Sequence, residues 1–263
     1  MAITSSNINV MVGAAEKAAR SLLRDYNEVD NLQVSVKGPH DFVSAADRRA
    51  EEIIYKELSR ARPSFGFIME ESGVVKGEDG EYTFCIDPLD GTDNFLHGIP
   101  HWAISIGLLR NGEPVAGVIY DATKDELFHA ERGSGAFMRK RRLRVSGRKD
   151  IAVSRVGVNL PSAAFKTYAD QSQTLRKLQD NAVNLCSFRS CALDLAYVAA
   201  GRLEACVHTQ YKSWDYAAGV ILVREAGGFV HSLDAKNKDP VTSGNGMAAN
   251  GAVDQALLKI LQA

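Results

Sequence analysis

Two carboxylates three residues apart, Asp87 and Asp90, stand in the stretch Asp87-Pro88-Leu89-Asp90-Gly91-Thr92-Asp93-Asn94-Phe95. A short apolar run, Tyr82 to Ile86, precedes them and reads as a buried strand. Pro88 has no amide hydrogen to donate, so it predicts the end of that strand's ladder. Gly91 admits a tight approach or a positive φ, and Thr92 and Asp93 are residue types that open helices. The two acids therefore project from a strand end into a turn at a helix N-terminus. Carboxylates ligate hard divalent cations, and a helix N-terminus binds phosphate. Together they point to metal-assisted phosphoryl transfer. A capped turn with solvated acids would carry the same residues, because Asp-Pro and Asp-Gly pairs occur in ordinary turns.

Two further clusters bear on that choice. Glu70 and Glu71 end a strand read over Phe65 to Met69, and if that strand neighbours the one before Asp87, four acids share one cleft. No Lys or Arg stands beside them in the local sequence, so they would repel one another unless cations sat between them. Mg²⁺ suits such a site, since it takes oxygen ligands and keeps waters that a phosphate can replace. The Leu89 carbonyl faces the same turn. Asp215, after Trp214, opens a helix of small residues, Ala217, Ala218 and Gly219, suited to close packing. Asp47 lies in the first turn of another helix, where an acid also simply favours the helix dipole.

The elements that must position these groups follow from periodicity. Helices are expected from about Asn9 to Tyr26 and from Val43 or Ser44 to Ser59, with a short strand from Gln33 to Val36 and a loop at Lys37-Gly38-Pro39-His40. Val74 to Glu81 reads as an exposed loop. Ala103 to Leu109, Val115 to Tyr120 and Glu126 to Ala130 read as strands, the first two joined at Asn111-Gly112, a hairpin signal. Gly133 to Phe137 and Leu143 to Val145 continue the antiparallel pattern. The basic run Arg139-Lys140-Arg141-Arg142 falls there, and a charged edge that discourages strand aggregation explains it better than a nucleic-acid patch. After Gly147, strands (Ala152 to Val158, Ala182 to Phe188, Leu203 to Val207, Phe229 to His231, Met247 to Ala249) are interleaved with helices (Ala163 to Leu178, Cys191 to Ala200, Trp214 to Ala226, Asp254 to Leu261). The expected organisation is α+β, with an N-terminal sub-domain over 1–146 holding most metal ligands and a C-terminal α/β sub-domain over 147–263 carrying Asp215 and the substrate-recognition segments.

Composition narrows the classes. The chain has 263 residues, 45% hydrophobic and 24% charged, with a net charge of −1, so nothing global draws it to nucleic acid or an anionic membrane. No apolar run nears the ~20 residues of a membrane span, and the start lacks a targeting pattern. Cys85, Cys186, Cys191 and Cys206 form no C-x-x-C pair and read as buried thiols of a cytoplasmic protein.

The motifs Glu70-Glu71-Ser72, Asp87-Pro88-Leu89-Asp90-Gly91-Thr92 and Trp214-Asp215-Tyr216-Ala217-Ala218-Gly219, with Glu225-Ala226-Gly227-Gly228 behind them, resemble the signatures of the inositol monophosphatase family. Asp41 to Asp47 resembles its N-terminal motif, and the likeness runs from about Met11 to the C-terminus. The resemblance implies a layered αβαβα sandwich of the inositol monophosphatase and fructose-1,6-bisphosphatase type, and a Mg²⁺-dependent, lithium-sensitive phosphomonoesterase that forms a homodimer and binds two or three Mg²⁺ per site. Glu70, Asp87 and the Leu89 carbonyl would hold the metal that activates water. Asp90 would bridge to a second metal completed by Asp87 and Asp215. Thr92 would orient the water, Asp47 would accept its proton through Thr92, and Gly91 and Thr92 amides would bind phosphate. Glu71 would support the ligands or a third, weaker metal, and Lys37 would lie near the catalytic loop.

This chain departs from the family pattern where the alcohol is recognised. Asp93 replaces a small polar residue. The segment usually read Gly-Ser/Thr-Ala-Ala is Arg189-Ser190-Cys191-Ala192, and His208 stands where a glutamate commonly contacts inositol hydroxyls. Arg189, Ser190, Cys191, His208 and Asp215 are therefore the candidate substrate contacts. Arg189 could meet a second anionic group on the substrate or be a surface residue. The expected reaction is hydrolysis of inositol 1-phosphate. The alternatives are the same chemistry on histidinol phosphate, a sugar bisphosphate or a nucleotide 3′-phosphate, and, in another class, an RNA- or transcription-associated regulatory protein that keeps the fold.

Overall fold

The computed structural model describes residues 5–28, 34–38, 41–159, 168–181 and 184–262, with only the backbone described over 34–38, 41–44 and 168–171. Helix α1 (Ser6–Tyr26) starts earlier than its apolar spacing suggests, because the Ser5 hydroxyl accepts the Ile8 N–H and caps it. Strands β1 (Val34–Gly38) and β2 (Asp41–Ser44) form an antiparallel ribbon that leads into α2 (Ala45–Ala61). Lys37 and Gly38 thus belong to a strand rather than a loop; Pro39, His40 and the Lys37 side chain lie outside the described residues.

An eight-stranded sheet follows: β3 (Gly66–Met69), β4 (Gly73–Val75), β5 (Tyr82–Asp90), then the one-turn helix α3 (Thr92–Leu96), β6 (Ala103–Arg110), β7 (Glu113–Asp121), β8 (Glu126–Glu131), β9 (Gly135–Met138) and β10 (Arg141–Arg142), in the spatial order β10-β9-β8-β7-β6-β5-β3-β4. Only β3 and β5 run parallel. Asn111 and Gly112 both take positive φ in the β6–β7 turn, as the hairpin signal requires.

Three sequence expectations are corrected here. Pro88 does not end β5: the ladder pairs Asp87 with Ser105, breaks, and resumes at Asp90 with Ala103, so the missing amide produces a bulge. The stretch after Gly73 contributes β4 before it becomes a loop. The last strand of the sheet is Arg141–Arg142 rather than Leu143 to Val145; Leu143 is instead buried in the core, and the exposed arginines form the sheet's outer edge.

After a 3-10 turn, Ile151–Val153, where a strand had been expected to begin, come β11 (Arg155–Val158), α4 (Tyr168–Asp180), β12 (Asn184–Cys186), α5 (Cys191–Ala199), β13 (Ala205–Thr209), α6 (Ser213–Glu225), β14 (Phe229–Ser232), β15 (Asn245–Ala249) and α7 (Asp254–Gln262). The expected helix start at Ala163 and strand start at Ala182 lie outside the described residues. The second sheet has the order β12-β11-β13-β15-β14.

The inner strands of both sheets are buried on both faces, which is why they read as continuous apolar runs. Along β5 and β6, Phe84, Ile86, Ile104, Ile106 and Leu108 pack with Met11, Ala15, Ala18, Ile54 and Leu58 of α1 and α2. On the opposite face, Cys85, Ala103 and Ile119 pack with α5 and α6. Val156, Val207 and Met247 of the second sheet pack with Leu178 of α4 and Leu257 of α7, while Cys206 and Ala248 turn to α5 and α6. The layers are thus α1/α2, sheet, α5/α6, sheet, α4/α7, the αβαβα sandwich. Lying between two sheets, α6 is buried from Tyr216 through Val223. Its backbone comes so near the first sheet that a Cβ on Gly107 would stand 2.6 Å from the Ala217 Cβ.

Candidate active site

The site forms where strand ends meet helix starts. Because β3 and β5 are parallel neighbours, Glu70, just after β3, and Asp87 to Asp90, at the end of β5, emerge at one edge. Asp215 reaches them from the first turn of α6. Ser105, opposite Asp87 on β6, fixes that turn by donating its hydroxyl to the Trp214 carbonyl at 3.1 Å. Carboxylate oxygens of Asp87, Asp90 and Asp215 lie within 4.8 Å of one another. They line a cleft of about 870 Å³ with Glu70, Leu89, Gly91 and Thr92 on one side and Gln210 to Lys212 and Thr242 to Asn245 on the other.

Four acids in that lining face a single cation, Lys212. Burial, then the charges of Glu70, Asp90 and Asp215, push the Asp87 carboxyl well above the usual carboxylate range. Burial, followed by the Asp90 charge, does the same to Asp215. Burial lifts Asp90 to about 6 although hydrogen bonds from Ser190 and Ala192 pull it down. An all-oxygen donor set, closely spaced and short of counter-charge, fits a hard divalent cation.

Gly91 takes φ +96, and a Cβ there would also meet the His101 carbonyl at 3.0 Å, so the turn requires glycine. The Thr92 hydroxyl donates to the Leu89 carbonyl at 2.9 Å, and Asp87 Oδ1 accepts the Leu89 N–H at 2.9 Å. Asp47 is buried in the first turn of α2, just after β2, which packs on α3. The Lys37 side chain is not among those described.

One face of the central motif grips the segment before α5. The Asp90 carboxylate accepts the Ser190 hydroxyl, the Ala192 N–H at 2.8 Å and the Cys191 N–H at 3.3 Å. Asp93 pairs with Arg189 Nε at 3.3 Å. Asn94 donates to the carbonyls of Phe188 at 2.8 Å and His101 at 2.7 Å. Ser190 and Cys191 therefore turn polar groups onto Asp90, and Ser190 also caps α5 at the Leu193 N–H.

His208, a candidate substrate contact, is 1% exposed. Its Nε2 lies 2.9 Å from Asp194 Oδ2 and its Nδ1 3.1 Å from the Tyr216 hydroxyl, so both ring nitrogens face the interior. Asp194 sits against Gly157, where a Cβ would meet its carboxylate at 2.8 Å.

Three positioning residues escaped the sequence reading. Glu51, buried one helical turn after Asp47, accepts the Glu71 N–H at 2.8 Å and the Ser72 hydroxyl, and so ties the Glu70 turn to α2. Glu71 in turn pairs with Arg48 at 3.6 Å. The i, i+4 spacing of Asp47 and Glu51 beside the stripe of Ala50, Ile54 and Leu58 was the available signal. Asn94 and Asp194 carried no signal in sequence, because their partners are remote.

The sequence pattern of the inositol monophosphatase family matches residues 4–263. The chain belongs to the inositol monophosphatase family. It is 51% identical to the inositol-1-monophosphatase of Mesorhizobium japonicum over 98% of this chain and 97% of that one. It is also 38% identical to the Nus factor SuhB of Escherichia coli K12, over 95% and 94% respectively. The crystal structure of the extragenic suppressor protein SuhB from Bartonella henselae superposes with a TM-score of 0.93 at 50% identity, covering 98% of this chain and 99% of that one. Inositol monophosphatases depend on Mg²⁺ in general, and the Asp87, Asp90 and Asp215 cluster supplies acids that could bind it. No helix among the described residues is long and apolar enough to cross a membrane.

Proposed function

We propose that this chain is a Mg²⁺-dependent phosphomonoesterase whose first candidate substrate is inositol 1-phosphate. The convergence of Asp87, Asp90 and Asp215 oxygens within 4.8 Å, beside Glu70 and Thr92, carries the reading. When bound, Mg²⁺ supplies charge neutralisation at the phosphate and acidifies water. Glu70, Asp87 and the Leu89 carbonyl would hold one ion, and Asp87, Asp90 and Asp215 another, with Glu71 behind them or serving a third.

The protein groups then divide the remaining work. Because the Thr92 O–H is donated to Leu89, its oxygen lone pairs are left to accept a hydrogen from the attacking water, aiming that water's own lone pair at phosphorus. For Asp47 to take the proton through Thr92, the Thr92 hydroxyl would turn from the Leu89 carbonyl, pass its own hydrogen to Asp47 and keep the one it accepts from the water. The amides of Gly91 and Thr92, which open α3 and have no intrahelical partner, would hold phosphate oxygens. The water oxygen forms the new P–O bond, the bond to the alcohol breaks in line, and the departing oxygen takes up a proton from a solvent water in the cleft, which the proton on Asp47 restores once released. Lithium inhibition, a homodimer and a cytoplasmic site of action belong to the same reading by family resemblance. Phosphate released from inositol 1-phosphate with Mg²⁺ and abolished by chelator tests it; turnover undiminished in chelator contradicts it.

A second reading is a role beside transcription. Relatives named Nus factor SuhB favour it, and the exposed run Arg139 to Arg142 is the surface it would use. Neutralising Lys140 and Arg141 should abolish a salt-sensitive affinity for RNA if this reading holds; binding that survives, or no binding at all, removes it.

A further inference from the structure

Among the described residues, five other than glycine have left-handed backbones. Asn111, Asp125 and Arg139 sit in hairpin turns, whereas Arg189 (φ +58) and Gln210 (φ +60) do not. Both line one small cavity of about 190 Å³, with Asp90, Cys191, His208 and Thr209 among the other walls. Asp90 and Gln210 also line the acid cleft, so the cavity opens directly off it. Backbone strain of this kind persists where surrounding structure over-determines it, often to aim a side chain. Here the determinants are visible. Asn94 holds the carbonyl before Arg189, Asp90 holds the hydroxyl after it, and Asp93 holds its Nε.

The other charged side chains of the lining each have at least one protein partner. Asp90 accepts bonds from the start of α5, and Asp194 and His208 pair with each other. Arg189 is the cation of the lining and is half exposed. Asp93 engages it at Nε, which orients the Nη1 and Nη2 fork that matches a carboxylate or phosphate. His208, turned inward, presents no carboxylate to hydroxyl groups on a substrate.

We infer that Arg189 is a specificity-determining residue: the cavity takes the alcohol part of a phosphate ester bearing a second anionic group, phosphate or carboxylate, which Arg189 binds beside Gln210. This rests on the reading that the acid cleft cleaves a phosphate monoester. With the four acids neutralised by bound Mg²⁺, a second anion would meet in this cavity a cation that Asp93 already holds in place, so binding costs little conformational freedom.

The test compares phosphate release from two matched pairs with Mg²⁺ present: glucose 1-phosphate against glucose 1,6-bisphosphate, and glycerol 3-phosphate against 3-phosphoglycerate. Arg189→Gly is the variant of choice, because glycine adopts φ +58 without strain, and Arg189→Lys retains the charge without the fork. The wild type should prefer the doubly anionic member of at least one pair by tenfold or more in kcat/KM. The pair that shows the preference identifies the second group as phosphate or carboxylate. Arg189→Gly should bring that ratio near one, mainly through KM, with Arg189→Lys between. No preference in the wild type, or a preference that survives in Arg189→Gly, overturns the inference while leaving the phosphatase reading intact. No release from any of the four or from inositol 1-phosphate overturns both.

Discussion

Asp90 and Ser190 are hydrogen-bonded across one hundred residues of sequence. The bond lets one carboxylate serve both the acid cluster and the N-terminus of α5, where the amides of Cys191 and Ala192 also point at it. The acid cluster and the register between the first sheet and the central helix layer are therefore joined in one side chain.

Asp90→Asn should accordingly do two things. Activity should fall by about a thousandfold or more if the ligand role holds. Thermal stability should fall too, by about 1–3 kcal/mol, because an amide in place of a carboxylate leaves one of three donors poorly matched. Sequence reasoning alone predicted activity loss with little effect on folding. Asp87→Asn is the contrast: equal loss of activity, with stability held or raised as a repulsive charge is removed. Calorimetry on both variants checks this, and near-wild-type turnover in either would count against the two-metal scheme.

Glu51→Gln should weaken Mg²⁺ binding about 10–100-fold, the range for residues that orient ligands from behind, because the Glu71 amide and Ser72 hydroxyl would lose a charged acceptor. Titration calorimetry with Mg²⁺ measures this independently of turnover. Unchanged affinity would assign Glu51 to stability alone.

The carboxyls of Asp87, Asp90 and Asp215 are all raised in the fold, Asp90 to about 6. An acid whose folded value lies above its unfolded value makes the folded state bind protons more tightly. Without added cation, stability should therefore rise as pH falls from 8 through about 6 and towards 4, as far as these groups contribute. Mg²⁺ replaces the protons, so its stabilising effect should be larger at pH 8 than at pH 5. At a concentration one hundred times Kd it contributes about 2.7 kcal/mol, several degrees of Tm for a chain of this size. Melting curves at both pH values, with Mg²⁺ and with chelator, decide it; an equal Mg²⁺ shift at both would contradict the assignment of these acids as ligands.

His208→Glu would restore the residue type common to the family but place it against Asp194, which burial already holds above the usual carboxylate range. Two acids in that site should cost about 3–5 kcal/mol. Adding Asp194→Asn should recover part of the loss, a coupling that a double-mutant cycle measures. Additive effects would show that the two side chains act independently.

The sequence by itself determined the fold class and the family, and from it came the proposal of metal-assisted phosphate ester cleavage. Both rest on local patterns: apolar runs of strand length, helical spacing along α1 and α2, and acids whose distance from strand ends is set by a few intervening residues. A turn such as Asp87 to Thr92 dictates its own geometry, so Gly91 and the start of α3 could be read directly. Tertiary structure decided which acids share a cleft, since that depends on β3 lying parallel to β5 and on α6 arriving through Gly107. It also decided the fate of the departures from the family pattern. Nothing near His208 in sequence announces Asp194 and Tyr216 as its partners, and nothing near Arg189 announces Asp93, Asn94 and Asp90. Side-chain direction at His208 and Arg189 is set by partners 8 to 96 residues away, and only the packed layers bring those partners within hydrogen-bonding distance.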